Sequence, residues 1–543
     1  MELNSLRVKP EGSFIYLFII LLVSFLLRLY PYLVSGVPFH TDSWPMLANV
    51  DFLMIKTPVA LMPESGFDSY NIFWPGLMLF SAVTSTLFGL TPYMLMPIIS
   101  PLVNSTSILM LFCLMRRLGY SSHVSLISSL FFGVAGGHAV LTAGITKEGF
   151  AIPLFFTTLM LLNLSLSMRK TLPLILSILT FGLVVLSHHL TSTVTALLSI
   201  YLFSTYLSRL QKESSRLILE HLLTLGAFLL LLCYYLWVYA ARANPLVLKE
   251  SDVISLVAYQ AVTCLPLWYG LVFRKRTKLW IRIWTLLGLL AVVALVVLAT
   301  RVSVVLGSPI ISINELILAS PYLAIALLST LSSETSNGGS AGSSPSFLDL
   351  WIMGLLGVEL YTVFGVPGLS GVTYRLANFL YIGVAMKASL IFTNLLNSRN
   401  VVKLCAMILI VALAVGTAYA TPYTILSSGP IGGSQRVYSE MDIATVKWVI
   451  SHLKDDTELL GDLRFSYLLS AYSNRSVDIG RGLLCLTEKN PTLKGCLIVT
   501  KLMESIGYIA TEYGTKLDSE SFNKLFKKFS LIYSNGAVSI AYG

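Results

Sequence analysis

The chain has 543 residues, of which 55% are hydrophobic and 12% charged, with a mean hydropathy of +0.77 and a net charge of +10. A soluble protein of this length carries about twice that charged fraction, so the composition excludes a soluble enzyme and points to a polytopic α-helical membrane protein. The positive balance does not mark a nucleic-acid binder, because the basic residues sit in short runs between apolar stretches, the pattern of cytoplasmic loops beside a bilayer.

The first apolar stretch, 14–34, is long for a signal-peptide core and has no small-residue cleavage site after it. It reads as a retained signal anchor with the N-terminus inside. Twelve more stretches long enough to cross follow at 94–114, 124–142, 150–167, 172–187, 190–207, 218–240, 254–273, 280–299, 310–330, 348–366, 376–395 and 401–420, giving about 13 spans. Ile72 to Leu90 is also long enough, but contains Pro75 and Gly76 and is followed by Pro92. Charge decides its place. If it stays outside, the inner loops collect Arg116, Arg117, Arg169, Lys170, Arg209, Lys212, Arg216, Arg274, Lys275, Arg276, Lys278, Arg399 and Lys403, against scattered single cations outside. If it crosses, every later loop flips and the basic runs face outward, against the positive-inside bias. It therefore reads as a helix on the outer face, inside a long first outer loop, 35–92. The polar segment 332–346 reads as a flexible inner loop. Residues 1–421 form the membrane domain.

Residues 422–543 read as a small α/β domain outside the membrane. Ile443, Val446, Val449, Ile450 and Leu453 share one helical face. ELLGD and CLIVTKL read as strands, and FSLIY and AVSIAY flank Asn535-Gly536, the strongest short hairpin signal. Cys113, Cys233, Cys264 and Cys405 lie in or beside spans as small apolar residues. Cys485 and Cys496 flank a turn-forming Asn490-Pro491 and read either as a disulfide or as two buried thiols.

The residues suited to chemistry sit at the outer edge of the apolar stretches. Asp42, in FHTDSW, is a turn former or a functional acid. Glu148, in AGITKEGFAI, favours the start of a helix and has Lys147 beside it, a partner for a lipid phosphate. Glu315, in SINE, lies between two apolar runs and needs a partner there. His188 and His189, in LSHHLTS, suit a metal or a phosphate, or cap helix ends. Arg375, in TYRLANFL, suits a phosphate or snorkels to the interface.

An acid after the first span, AG followed by an acid and GxAI at the fourth, a Ser-x-x-Glu in a late outer loop, an Arg-Leu near the start of a late span and an outer C-terminal domain resemble the GT-C glycosyltransferases. Within them the likeness is to the catalytic subunit of oligosaccharyltransferase. The resemblance implies a prokaryotic, archaeal envelope enzyme that moves a sugar from a polyprenyl-phosphate-linked donor to an acceptor on the extracytoplasmic face. It implies that Asp42 and Glu315 act on the acceptor, that Asp42 and Glu148 hold a divalent metal (Mg or Mn), and that Arg375 holds the lipid phosphate; His188 and His189, whose turn is not part of that subunit's pattern, are read from their own chemistry as candidates for the same phosphate. The chain has no WWDYG, with which that subunit's soluble domain reads a glycosylation sequon, so transfer to a sequon asparagine is not implied. The three acids are expected in one cavity with Arg375 and the histidines on its wall. The rival readings are a lipid or glycolipid flippase, which calls for ionisable or broken helices at mid-membrane, and an inactive assembly protein.

Overall fold

The structure is a computed structural model and describes residues 10–55, 70–168, 170–209, 215–241, 250–273, 312–331, 346–364, 370–426, 437–473, 475–487, 494–501, 508–509, 515–517 and 529–543, with Met503 and scattered positions in 283–302. Up to Leu426 these residues are helical. The helices are α1 (Pro10–Ser35), α2 (Ser43–Ile55), a 3-10 turn (Asn71–Phe73), α3 (Gly76–Phe88), α4 (Pro92–Arg117), α5 (Ser122–Gly133), α6 (Gly136–Ala143), α7 (Lys147–Met168), α8 (Thr171–Ser187) and α9 (His189–Arg209). They continue with α10 (Ser215–Cys233) and its π-helical extension (Tyr234–Tyr239), α11 (Glu250–Phe273), α12 (Ile313–Leu331), α13 (Phe347–Phe364), α14 (Ser370–Leu396) and α15 (Asn400–Leu426).

Among the described residues eight helices are long and apolar enough to cross a bilayer, in α1, α4, α7, α9, α10 with its extension, α12, α14 and α15. Large apolar side chains project from their outer faces, such as Phe14 and Phe18 on α1 and Val401, Ile408 and Val411 on α15. An apolar rim this extensive needs a hydrocarbon solvent. The chain is a multi-pass membrane protein. The stretch expected to span at 124–142 is the pair α5 and α6, bent by 60° at Val134-Ala135, a broken span or a re-entrant loop. A side chain on Gly136 would lie 2.7 Å from the Thr417 carbonyl, so glycine lets α6 turn onto α15. The stretch at 172–187 is the 17-residue α8, and that at 348–366 is α13. Half of 280–299, with Lys275 and 332–345, lies outside the described residues. Helix α3 has 13 residues, about 20 Å of helix, too short for a core of about 30 Å.

The bundle interior is aromatic and hydroxyl-rich. Phe155 packs edge-on to Trp351 and Phe379, and the Trp351 indole donates to the Phe379 carbonyl at 2.9 Å. Buried Ser128, Thr195, Ser199 and Thr417 each donate to the carbonyl four residues back, which satisfies a hydroxyl where water is absent.

The C-terminal part is a small α/β domain. Its elements are α16 (Glu440–His452), β1 (Leu459–Leu460), α17 (Leu463–Ser470), β2 (Val477–Asp478), α18 (Ile479–Thr487), β3 (Cys496–Thr500), β4 (Tyr508–Ile509), β5 (Thr515–Lys516), β6 (Ser530–Ser534) and β7 (Val538–Tyr542). The main sheet runs β2-β1-β3-β7-β6, parallel among the first three strands and antiparallel thereafter. Gly536 takes φ +86° in the β6–β7 turn, where Asn535 Oδ1 accepts from the Val538 amide at 2.9 Å. Of the expected face of α16, Val446 and Val449 are buried while Ile450 is exposed. Of the two readings of Cys485 and Cys496, buried thiols hold and the disulfide between them does not. Adjacent residues of β3 point to opposite faces of the sheet. Cys496 joins the core against α16, and Cys485, on α18, joins Leu497 and Val499 on the other face.

The core under α16 also takes in Val37 and Trp44 from the membrane part. Trp44, fully buried at the start of α2, meets Tyr438 at 5.2 Å and Tyr472 at 6.1 Å between ring centroids. Tyr93 donates to the Ala471 carbonyl at 3.1 Å. These contacts seat α17 on α2, over the end of the bundle where the candidate residues lie.

Candidate active site

Two turns build the site. The first follows α1 and carries His40 at φ +79°, a left-handed conformation that a non-glycine residue seldom adopts. It lets His40 Nδ1 accept from the Asp42 amide at 3.2 Å. The second turn, 142–147, leads into α7. The Ser43 hydroxyl joins the two, donating to the Phe39 carbonyl and accepting from the Ile145 amide at 2.9 Å. Gly144 is needed for the approach, since a Cβ there would lie 2.5 Å from His40 Cβ. Asn104 donates to the Thr142 carbonyl at 2.5 Å, Arg28 Nε to the Thr142 hydroxyl at 2.9 Å and Ser100 to the Gly144 carbonyl at 3.2 Å. Asp42 and Glu148 are thus carried by one braced frame.

Arg375, in the first turns of α14, reaches into that frame. Its Nε donates to the Tyr374 hydroxyl at 2.9 Å and lies 3.6 Å from Glu148 Oε2. Its Nη2 lies 3.9 Å from Asp42 Oδ2 and its Nη1 3.4 Å from His188 Nε2. His188 Nδ1 accepts from the Thr191 amide at 3.3 Å and lies 2.8 Å from the Thr191 hydroxyl. Glu148 is 2% exposed, and neither of its oxygens accepts a hydrogen bond among the described residues. Asp42 is the accessible acid, its side chain 41% exposed.

These groups open on one cavity of about 630 Å³, lined by Asp42, Lys147, Glu148, His188 and Arg375. Tyr70 and Asn71 form another wall, with Lys147 Nζ 2.5 Å from Asn71 Oδ1 and 4.0 Å from the Tyr70 ring centre. Helix α17 closes the cavity with Ser466, Tyr467 and Ser470. The cavity therefore joins two carboxylates, two cations and an imidazole on the membrane side to hydroxyls on the C-terminal side.

Glu315 does not line it. Its Oε2 accepts from the Ser312 amide at 2.7 Å while the Ser312 hydroxyl accepts from the Glu315 amide at 3.3 Å, a capping box at the start of α12. His189 lies behind the wall, 3.4 Å from the Tyr70 hydroxyl and against the Trp74 ring. Tyr70, Asn71 and the α17 hydroxyls are lining residues that the sequence did not single out for chemistry, while it marks Lys147 only as a partner for a lipid phosphate. The adjacency of Lys147 to Glu148 was the only available signal.

The donor set does not fit a resident divalent ion. Among the described residues no group of three His, Cys, Asp or Glu gathers to hold a metal. The two acids assigned to the metal carry a guanidinium between them.

No protein-family profile and no curated protein matches the chain in sequence. Solved structures do. The oligosaccharyltransferase of Archaeoglobus fulgidus in its apo form aligns with a TM-score of 0.52 and 13% identity, over 91% of this chain and 70% of that one. Its complex with zinc and sulfate aligns with a TM-score of 0.52 and 14% identity, over 97% and 73%. The chain has a GT-C-like fold. ArnT of Cupriavidus metallidurans, bound to undecaprenyl phosphate, aligns over 98% of both chains at 12% identity, with a TM-score of 0.37 that is too low to define a shared fold.

Proposed function

We propose that the chain is a membrane glycosyltransferase that moves a sugar from a polyprenyl-phosphate-linked donor to an acceptor at the extracytoplasmic face. The observation that most supports this reading is the single cavity in which an accessible carboxylate, Asp42, faces Arg375, Lys147 and His188 at the edge of an apolar bundle. In this reading the acceptor's hydroxyl or amine gives its proton to Asp42, and its lone pair bonds to the anomeric carbon. The bond from that carbon to the phosphate oxygen breaks, and the electron pair leaves on the phosphate. Arg375, Lys147 and His188 steady the charge that develops there. Glu148 holds Arg375 in place rather than touching the acceptor. The bundle surface takes the prenyl chain, and Ser466, Tyr467 and Ser470 face the acceptor. The distribution of basic loop residues supports a cytoplasmic N-terminus and an extracytoplasmic C-terminal domain.

The test is incubation of the purified chain in nanodiscs with labelled polyprenyl-phosphate sugars and a panel of lipid, glycan and peptide acceptors. Label should pass to an acceptor, and Asp42→Asn should stop it. Movement of donor between leaflets with no transfer would instead identify a flippase.

A further inference from the structure

We infer that Arg375 is the built-in counter-cation of this site and that Asp42 and Glu148 bind no divalent ion while it is in place. This rests on the glycosyl-transfer reading for its purpose, but its geometry stands apart from that reading. One guanidinium serves both carboxylates, with Nε 3.6 Å from Glu148 and Nη2 3.9 Å from Asp42. A divalent ion bonds carboxylate oxygens at about 2.0–2.6 Å, so an ion shared by these two acids would sit beside the guanidinium. Two cations this close repel, and the 2% exposed Glu148 side of the pair has little water to screen them.

The neighbouring residues agree. The Thr146 hydroxyl, two positions before Glu148, accepts from the Gly149 amide at 3.3 Å and caps α7. Between them stands Lys147, a second cation on the same cavity. His188 Nε2 lies 3.4 Å from Arg375 Nη1. The charges of Asp42, Glu148, Lys147 and Arg375 sum to zero. A phosphodiester donor brings that total to −1, and transfer keeps it there, because the proton taken up by Asp42 offsets the second negative charge left on the phosphate. A fixed arginine also suits phosphate in its own right, since its planar fork matches two phosphate oxygens.

The experiment measures manganese binding to the purified full chain by electron paramagnetic resonance, and in parallel polyprenyl-phosphate binding with and without EDTA. Wild type should bind no manganese above the detergent background at up to about 1 mM, and EDTA should leave lipid-phosphate affinity unchanged. Arg375→Gln leaves two carboxylates without their cation. It should gain about one manganese per chain, lose it again in Arg375→Gln with Glu148→Gln, and weaken polyprenyl-phosphate binding about 10- to 100-fold. Arg375→Lys, which keeps the charge, should gain no manganese. One manganese in wild type that Glu148→Gln removes, or lipid-phosphate binding lost with EDTA, overturns the inference while leaving glycosyl transfer standing. Absence of turnover with every donor counts against the transfer reading alone, because neither binding measurement depends on turnover.

Discussion

Helix α14 carries two cations, and it holds them in opposite ways. Lys387, about 18 Å along the helix from Arg375, places Nζ 2.5 Å from Asp349 Oδ1. The other oxygen of that carboxylate accepts from the Ser346 amide at 3.0 Å and hydroxyl at 2.9 Å, which caps α13. Both oxygens of Asp349 are used, and the pair locks two helices together. Arg375 instead spreads contacts of 2.9 to 3.9 Å over Tyr374, His188, Glu148 and Asp42, beside a cavity. A saturated buried pair acts as a strut. A loose one beside a cavity keeps part of its attraction for a ligand, and perturbed charges of this kind gather at functional sites.

The largest expected effect tests the cavity end. Asp42→Asn should lower transfer at least about 10³-fold, the scale of a lost general base, with thermal unfolding unchanged. The side chain is 41% exposed, so losing its charge strands nothing. A melting temperature that falls with the activity would make Asp42 a strut as well.

Lys387→Met tests the other end. It leaves Asp349 charged and buried, and should destabilise the chain by about 3–5 kcal/mol, read as a lower denaturant midpoint. Adding Asp349→Leu should recover much of this, and donor affinity of the folded fraction should not move. Arg375→Gln, paired with Glu148→Gln so that no buried charge is left alone, should show the reverse pattern: kcat/KM down at least about 10²-fold, about 2.7 kcal/mol of transition-state stabilisation, with a small change in midpoint. If this double variant unfolds the chain as severely as Lys387→Met, the contrast between the two cations fails.

Much of this contrast was legible in the sequence and part was not. Asp42, Glu148 and Arg375 each stood at the edge of an apolar run, so their shared end followed from counting spans and basic loops. Glu315 misled because Ser-x-x-Glu before an apolar run is also the signature of a capping box, and here the local reading holds. The break at Gly133–Gly136 hid inside a stretch that averaged as apolar. The cysteines left two readings open because closeness in sequence says nothing about sheet faces, which alternate with every residue of β3. Ser466, Tyr467 and Ser470 were out of reach because they enter the cavity only through the docking of α17 on α2 around Trp44.

The smallest expected effect carries the same contrast into the C-terminal domain, where two buried aspartates differ in how fully they are used. Asp442 accepts from Arg464 Nη2 at 2.7 Å and from the Ser439 amide and hydroxyl in a capping box. Asp462 caps α17 by accepting from the Phe465 amide at 3.0 Å. Burial pushes the Asp462 carboxyl up to about 6 from an ordinary 3.8, against the pull of the Phe465 amide and Arg464. Because the folded value is the higher one, the folded domain holds a proton that the unfolded chain releases. Stability from this group is present below about pH 4 and is lost as pH rises through 6. The difference amounts to about 3 kcal/mol at neutral pH. Asparagine caps a helix as well as aspartate does and carries no charge. Asp462→Asn should therefore stabilise the domain by about 1–3 kcal/mol at pH 7.5 and remove its loss of stability between pH 4 and 6. Hydrogen exchange at Leu497 and Ala541, paired across β3 and β7 and corrected for intrinsic rates, measures this in the intact chain. Equal protection in wild type at pH 4.5 and 7.5 would mean that Asp462 is as well satisfied as Asp442.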